Sequence, residues 1–366
     1  MDQLVAFCRP GFETDAGREL TDAAAGVGVY GYFEPGKQSG FLVFNLSGLA
    51  SSYELLSRLA IDDLVFVRDW FISIADISLP KTDRVGAVLA GLGDCAGTNP
   101  VCSRVDVRLP ETHDDHDLYN FARKWVSPLS KALRAAGYLE PEPEPKTDAS
   151  ARLELLLLSF DRVLVGVSLA SNRARFPSGI LRLRLLDSAP SRSALKLEES
   201  WKVFLPPGQE LDYLGGGKKA VDLGAAPGGW TWQLVRQGME VTAVDNGPMN
   251  PQLMASGQVT HVQADGYSWQ PKRSVDWMVC DIVDHPRRTS AMVVRWLTEG
   301  WCRYVIFNLK LPMKKRYDEW LACRELLQAG LGRGEAENNS GSRYRIRARH
   351  LYHDREEITC FIERIG

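Results

Sequence analysis

The spacing of apolar and polar positions divides the chain into two patterns. In the first, residues 3–8 (Gln-Leu-Val-Ala-Phe-Cys) form a strand-length apolar run, and residues 15–25 carry a helical period. Short strands are predicted near 27–33 and 40–46, a helix over 53–59 and an extended segment over 64–74. This order of strand, helix, strand, strand, helix, strand predicts a small α+β sandwich. Residues 83–92 read as helix, 104–109 alternate as a strand does, and 118–136 return to a helical period. Residues 153–160 and 163–169, parted only by Asp161-Arg162, predict a hairpin that needs an existing sheet to join.

Residues 140–145 spell Glu-Pro-Glu-Pro-Glu-Pro, an extended connection, because each proline removes a donor and disfavours helix at its predecessor. The stretch 171–192, rich in Ser, Arg and Pro, is the better boundary between the two patterns, and 193–199 can begin a helix. From Lys219 onward short apolar strands (220–223, 241–244, 259–263, 275–280, 304–309) alternate with helical stretches (230–236, 290–299, 315–329). Such strands predict a parallel sheet covered on both faces. Residues 343–350 and 357–362 have no helix between them and should end that sheet antiparallel.

Composition narrows the class. The 366 residues are 45% hydrophobic and 25% charged, and no window holds the run of about 18 apolar residues that a membrane helix needs. The first 15 residues show no basic-then-apolar leader. Seven cysteines, none in a C-x-x-C pair, fit a reducing cytoplasmic compartment better than a disulfide scaffold. The overall charge of −2 hides an asymmetry: residues 1–150 carry 14 Lys/Arg against 22 Asp/Glu, the remainder 30 against 24. An anionic partner should therefore meet mainly the second half.

The sharpest local signal is Val221-Asp222-Leu223-Gly224-Ala225-Ala226-Pro227-Gly228-Gly229-Trp230, a strand running through a glycine-rich turn into a helix. It matches neither G-x-G-x-x-G nor the phosphate-binding G-x-x-x-x-G-K-[ST], so its spacing suits a nucleoside without a phosphate tail. Asp245 closes the next strand, where an acid can accept both ribose hydroxyls, and Asp265 follows the third, near where an adenine amino group would lie. Carboxylates at successive strand ends beside one glycine loop describe a pocket for S-adenosylmethionine.

Four ionisable residues are candidates for the chemistry. Asp281 and Lys310 end strands, Lys196 lies in Ser-Arg-Ser-Ala-Leu-Lys-Leu-Glu-Glu (191–199), and Glu357 opens the final strand. A ribose 2′-OH is a poor nucleophile at neutral pH and needs a base. A lysine whose pKa is lowered by a second cation and partial burial can serve. Lys310 is the expected base and Lys196 the cation beside it, with Asp281 and Glu357 aiming the amine. The histidine pairs 113/116 and 350/353 lack a completing ligand set for zinc, and Cys280 reads as a small core residue. Lys314, Lys315, Arg316 and Tyr317, and the alternating arginines 343, 345, 347 and 349, could grip phosphates.

The run Asp222 to Trp230, taken with Lys196, Asp281, Lys310 and Glu357, resembles the Lys-Asp-Lys-Glu family of RNA ribose 2′-O-methyltransferases, whose catalytic domain has a Rossmann-like fold. Cys8-Arg9-Pro10-Gly11-Phe12-Glu13, Ala189-Pro190-Ser191-Arg192-Ser193, Val244-Asp245-Asn246-Gly247-Pro248-Met249, residues 307–317 and residues 351–357 narrow the likeness to bacterial members acting on large-subunit rRNA. The resemblance implies a ferredoxin-like α+β domain over 1–78, a THUMP RNA-binding domain over 79–172 and a methyltransferase domain over 173–366. It implies a cytidine of 23S rRNA (position 2498 in the usual rRNA numbering) as target, S-adenosylmethionine as methyl donor and Lys310 as proton acceptor. By the same likeness Ser193, Ala226, Pro227, Gly228, Gly229, Asp245, Asp265 and Asp281 contact the cofactor, joined from the loop reading by Asp222, Gly224 and Trp230. The expected partner is 23S rRNA or a large-subunit assembly precursor. Neither DNA nor a membrane is expected, and the chain is expected to act as a monomer.

Overall fold

The structure is a computed structural model that describes residues 2–34, 39–93, 100–112, 115–141, 150–332 and 344–365. Most of the Glu-Pro run, Cys95, His113 and Arg343 lie outside the described residues. The chain forms two compact units, 1–179 and 180–366.

The first unit contains β1 (Gln3–Phe7), α1 (Glu13–Gly26), β2 (Gly31–Glu34), β3 (Phe41–Leu46), α2 (Ser52–Arg58) and β4 (Asp69–Ser78). These pair antiparallel in the order β2-β3-β1-β4, the ferredoxin-like arrangement. Then come α3 (Arg84–Gly93), β5 (Arg104–Arg108), α4 (His116–Ala135), β6 (Arg152–Ser159) and β7 (Arg162–Ser168). The predicted hairpin is β6–β7, and the sheet it joins is the one already built, because β7 pairs with β4. β4 is long enough to serve both halves. Asp69–Ser73 pairs with β1, Ile72–Ser78 pairs with β7, and the β7 pairing is interrupted by a bulge at Ser73/Ala75. On α4, Leu118, Ala122, Trp125, Leu129 and Leu133 recur at helical spacing and bury one stripe against Val105, Leu153 and Leu155.

Two strand starts differ from the sequence expectation: β2 begins at Gly31 rather than near residue 27, and β4 is delayed as well. Regular strand starts at Asp69 rather than near residue 64, although Leu64 to Val67 are buried. The amides of Val65, Phe66 and Val67 donate to the Glu19 carboxylate of α1 at 2.7, 2.8 and 3.2 Å. A side chain thus satisfies donors that a ladder would otherwise have taken.

The second unit runs α5 (Ala194–Phe204), α6 (Glu210–Leu214), β8 (Lys219–Leu223), α7 (Gly229–Arg236), β9 (Glu240–Val244), α8 (Pro251–Met254), β10 (Val259–Val262), β11 (Val275–Cys280), α9 (Pro286–Thr298), β12 (Cys302–Lys310), α10 (Arg316–Gly332), β13 (Tyr344–Arg349) and β14 (Glu357–Arg364). Its sheet has the order β10-β9-β8-β11-β12-β14-β13. The first five are parallel, and β14 runs antiparallel between β12 and β13, as the missing helix predicts. The chain moves outward from β8 to β10 and then returns to place β11 on the other side of β8. That reversal is the switch point where open α/β sheets bind ligands at their carboxyl edge. Trp277, Val279, Ile306 and Phe361 fill the sheet face beneath it.

Candidate functional site at the carboxyl edge of the second sheet

The glycine loop leaves β8 at this switch point. Gly224 adopts φ +76° and Gly228 φ +116°, backbone conformations that glycine takes without steric cost. Space is equally restrictive. A Cβ on Gly224 would lie 2.5 Å from Ile282 Cγ1, and one on Gly228 2.5 Å from Leu253 Cδ2. A Cβ on Gly229 would run into the Ser191 and Ser193 hydroxyls. The loop is thus a backbone cradle that side chains would fill.

Asp245, at the end of β9, holds the cradle. Its carboxylate accepts from the Ala226 amide at 3.0 Å and the Gly247 amide at 2.7 Å. Each carboxylate oxygen keeps a further lone pair for a ribose hydroxyl. Asp265 is exposed after β10 and accepts from the Tyr267 amide at 3.1 Å. Ser193 lies at the start of α5 with its hydroxyl 2.7 Å from that of Ser191. These donors and acceptors fit a nucleoside cofactor.

Asp222 and Trp230 sit beneath the loop rather than in it. Burial pushes the Asp222 carboxyl up to about 7, against a 2.6 Å hydrogen bond from the Thr231 hydroxyl. The Trp230 indole N–H donates to the Ser193 carbonyl at 2.9 Å, tying α7 to the start of α5.

The four candidate ionisable residues come together. Lys310 Nζ donates to Asp281 Oδ1 at 2.6 Å, and Lys196 Nζ lies 3.4 Å from Asp281 Oδ2 and 2.5 Å from Glu357 Oε1. Glu357 Oε1 is also 3.9 Å from Lys310 Nζ. Three strands set this arrangement. β11 delivers Asp281, β12 delivers Lys310, and the antiparallel register places Glu357 directly across from Lys310. Burial works against the charge on Lys196, but Asp281 and Glu357 outweigh it and raise its pKa. Burial likewise works against the Asp281 carboxylate, and the two lysines with the Asn308 amide outweigh it and hold the pKa low. A cavity of about 440 Å³ opens beside Lys310, walled by Val283, Pro286, Leu311 and Pro312.

Two residues escaped the sequence reading. Asn308 Nδ2 donates to Asp281 Oδ1 at 2.8 Å. Glu199, almost fully buried, accepts from the Tyr352 and His353 amides at 2.8 and 2.9 Å and bonds the His353 ring at 2.6 Å. It therefore fixes the loop that leads to Glu357. The available signal was a polar residue inside an apolar run: Asn308 interrupts Val305-Ile306-Phe307 two positions before Lys310, on the same strand face.

Other candidates are engaged elsewhere. His350 bonds the Arg355 carbonyl at 3.0 Å, and among the described residues no three His, Cys, Asp or Glu side chains group as a metal site. Burial pushes the Cys280 thiol up to about 12. Arg345 pairs with Glu363 at 2.9 Å and Arg347 lies over Phe361, so these β13 arginines are committed within the sheet. Lys314 and Lys315 remain exposed. No helix of the described residues is long and apolar enough to cross a membrane.

Comparison with known proteins finds family models in three stretches of the chain. Residues 1–71 match the RlmM ferredoxin-like domain, 83–169 the N-terminal model of ribosomal RNA large subunit methyltransferase M, and 189–295 the FtsJ-like methyltransferase model. Proteins named ribosomal RNA large subunit methyltransferase M are similar over full length. That of Marinobacter nauticus is 62% identical over 100% of both chains. That of Stutzerimonas stutzeri is 44% identical over 100% of both, and that of Cellvibrio japonicus 43% identical over 99% of both. A solved fibrillarin pre-rRNA processing protein from Methanococcus jannaschii covers 61% of this chain and 86% of its own at 10% identity. Its TM-score of 0.34 is too low to support any argument. Full-length identity at this level, with the matching domain models in the same order, places the chain in the ribosomal RNA large subunit methyltransferase M family.

Proposed function

We propose that the protein transfers a methyl group from S-adenosylmethionine to the ribose 2′-OH of a cytidine in 23S rRNA. The observation that carries this reading is the Lys196–Asp281–Lys310–Glu357 cluster beside the glycine cradle at one sheet edge. Bound in that cradle, S-adenosylmethionine supplies an electrophilic methyl on a sulfonium. The neutral Lys310 amine takes the 2′-OH proton, the hydroxyl oxygen bonds the methyl carbon, and the carbon–sulfur bond breaks to leave S-adenosylhomocysteine. Lys196 stays cationic and, with Asp281 and Glu357, aims the amine. Asp281 and the cofactor contacts proposed above hold the donor in line.

Within this reading residues 1–78 act as the ferredoxin-like domain, 79–172 as a THUMP RNA-binding domain and 173–366 as the catalytic domain. The cavity beside Lys310 admits the target nucleotide. The substrate is 23S rRNA or a large-subunit assembly precursor, met in the cytoplasm by a monomer, with no role for DNA or a membrane.

Incubation with isotope-labelled S-adenosylmethionine and unmodified large-subunit rRNA, followed by digestion and mass identification, tests it. Label is expected in 2′-O-methylcytidine and lost with Lys310→Ala. Label in a base-methylated nucleoside would sink the lysine mechanism, and cofactor binding without label on any rRNA state would point to a non-catalytic rRNA-binding factor.

A further inference from the structure

Behind Asp281 a line of buried polar groups runs into the core. Asn308 Nδ2 donates to Asp281 Oδ1, and Asn308 Oδ1 lies 2.9 Å from the Thr359 hydroxyl. That hydroxyl is 3.0 Å from both carboxyl oxygens of Asp354. Asn308, Thr359 and Asp354 are all essentially inaccessible to solvent. Asn308 and Thr359 face each other across the β12–β14 pairing, two residues inward from Lys310 and Glu357.

The direction of each bond follows from counting hydrogens. Asp281 is an ionised acceptor, so Asn308 must present its NH₂ to it and its carbonyl oxygen to Thr359. That oxygen accepts the one hydrogen of the Thr359 hydroxyl. Only lone pairs then remain on Thr359 to face Asp354, and an ionised carboxylate would oppose them oxygen to oxygen. We propose that Asp354 is a positioning residue for the catalytic centre: as a neutral acid it donates to Thr359 and fixes the relay that keeps Asn308 donating to Asp281.

Independent chemistry agrees. Burial, with the Glu357 and Glu199 carboxylates nearby, raises the Asp354 pKa well above the usual carboxylate range, against Lys196 and the Leu351 amide hydrogen bond. The Leu351 amide donates to Asp354 Oδ2 at 3.0 Å. The relay has a consequence at the base. Asn308 and Lys310 share the same oxygen, Asp281 Oδ1. A second donor there weakens that oxygen's hold on the Lys310 proton, and so favours the neutral amine that the reaction needs.

This inference rests on Lys310 being the base, and the test separates the two. Methyl transfer by the full-length protein is measured across pH under single-turnover conditions. Thr359→Val and Asp354→Ala are expected to slow transfer about tenfold at neutral pH, the worth of one buried hydrogen bond. The midpoint of the rate–pH curve should shift upward while affinity for S-adenosylmethionine is retained. Thr359→Ser and Asp354→Asn, which keep the donor, should recover most of the rate and restore the midpoint. They remain informative even if the truncated variants fold poorly. An unmoved midpoint, or an Asp354→Asn variant no better than Asp354→Ala, would overturn the relay. Transfer surviving Lys310→Ala would instead overturn the base. A silent Lys310→Ala beside a normal Thr359→Val would remove the relay alone.

Discussion

Each unit of this protein carries a cluster of opposite charges on its sheet, and the two differ in kind. In the first, Arg108 of β5 is held at 2.7 Å by Asp69 and at 2.9 Å by Glu154. Those acids are 2% and 1% exposed, the arginine 10%. The Ser168 hydroxyl takes another Glu154 lone pair at 2.7 Å, and Phe7 lies under the guanidinium. In the second, two lysines 15% and 17% exposed share Asp281 and Glu357 beside a cavity and a glycine cradle. A guanidinium does not give up its proton in a protein, whereas a partly buried ammonium can. The same electrostatic ingredients therefore fix the sheet in one unit and, on the proposed mechanism, serve proton transfer in the other. The cation's chemistry and its access to solvent make the difference.

Removing the first cluster's cation gives the largest effect expected on stability. Arg108→Ala leaves two buried acids without their counter-charge and should cost about 3–5 kcal/mol, read from denaturant unfolding of the full chain. A loss under about 1 kcal/mol would mean that the network is as dispensable as a surface pair.

Asp222 supplies a buried acid of the second unit bonded to a hydroxyl instead. Its carboxyl titrates near 7 in the folded chain against an ordinary value of 3.8. Between those values the unfolded chain releases a proton that the folded chain keeps, so the stability it contributes at low pH is lost as pH rises to about 7. Asp222→Asn should remove a slope of up to about 1.4 kcal/mol per pH unit. Thermal unfolding of parent and variant at several pH values would show parallel curves if this is wrong.

The cradle gives a smaller effect. Gly224→Ala forces a side chain into a left-handed conformation, about 1–2 kcal/mol, and against Ile282. Cofactor affinity measured by calorimetry should fall about tenfold or more by that strain, and an unchanged affinity would free the loop from its proposed role. Arg162 is the control for the first cluster. It pairs with Asp76 through two hydrogen bonds on the exposed sheet surface. Arg162→Ala should cost under about 1 kcal/mol in the same unfolding assay, showing that burial rather than pairing sets the price in Arg108.

Much of this was legible in the sequence because it rests on periodicity. The succession of strands and helices in both units, the hairpin that joins an existing sheet and the glycine loop all follow from local spacing. Asp281 and Lys310 stood out because carboxyl strand ends of an open α/β sheet are where ligands bind, whereas Lys196 in a helical segment and Glu357 at the start of a strand were picked as their charge partners. What escaped was tertiary. The delayed start of β4 depends on Glu19, some 46 residues from the amide it accepts. The role of Glu199 depends on a loop about 150 residues away. Asn308 and Thr359 look like isolated polar substitutions until the β12–β14 register sets them face to face. The continuity of the first sheet through β4 is likewise invisible to any reading that takes each half separately.

The most direct measurement on the second cluster is single-turnover methyl transfer to unmodified large-subunit rRNA by Lys310→Arg. Arginine keeps the charge beside Asp281 but cannot become the base. Transfer slower by about 10²–10⁴, the usual worth of a general base, with melting temperature and cofactor affinity retained, is the expected result. A rate within about tenfold of the parent would contradict it, because a permanently protonated side chain would then suffice and the lysine would be only a counter-charge.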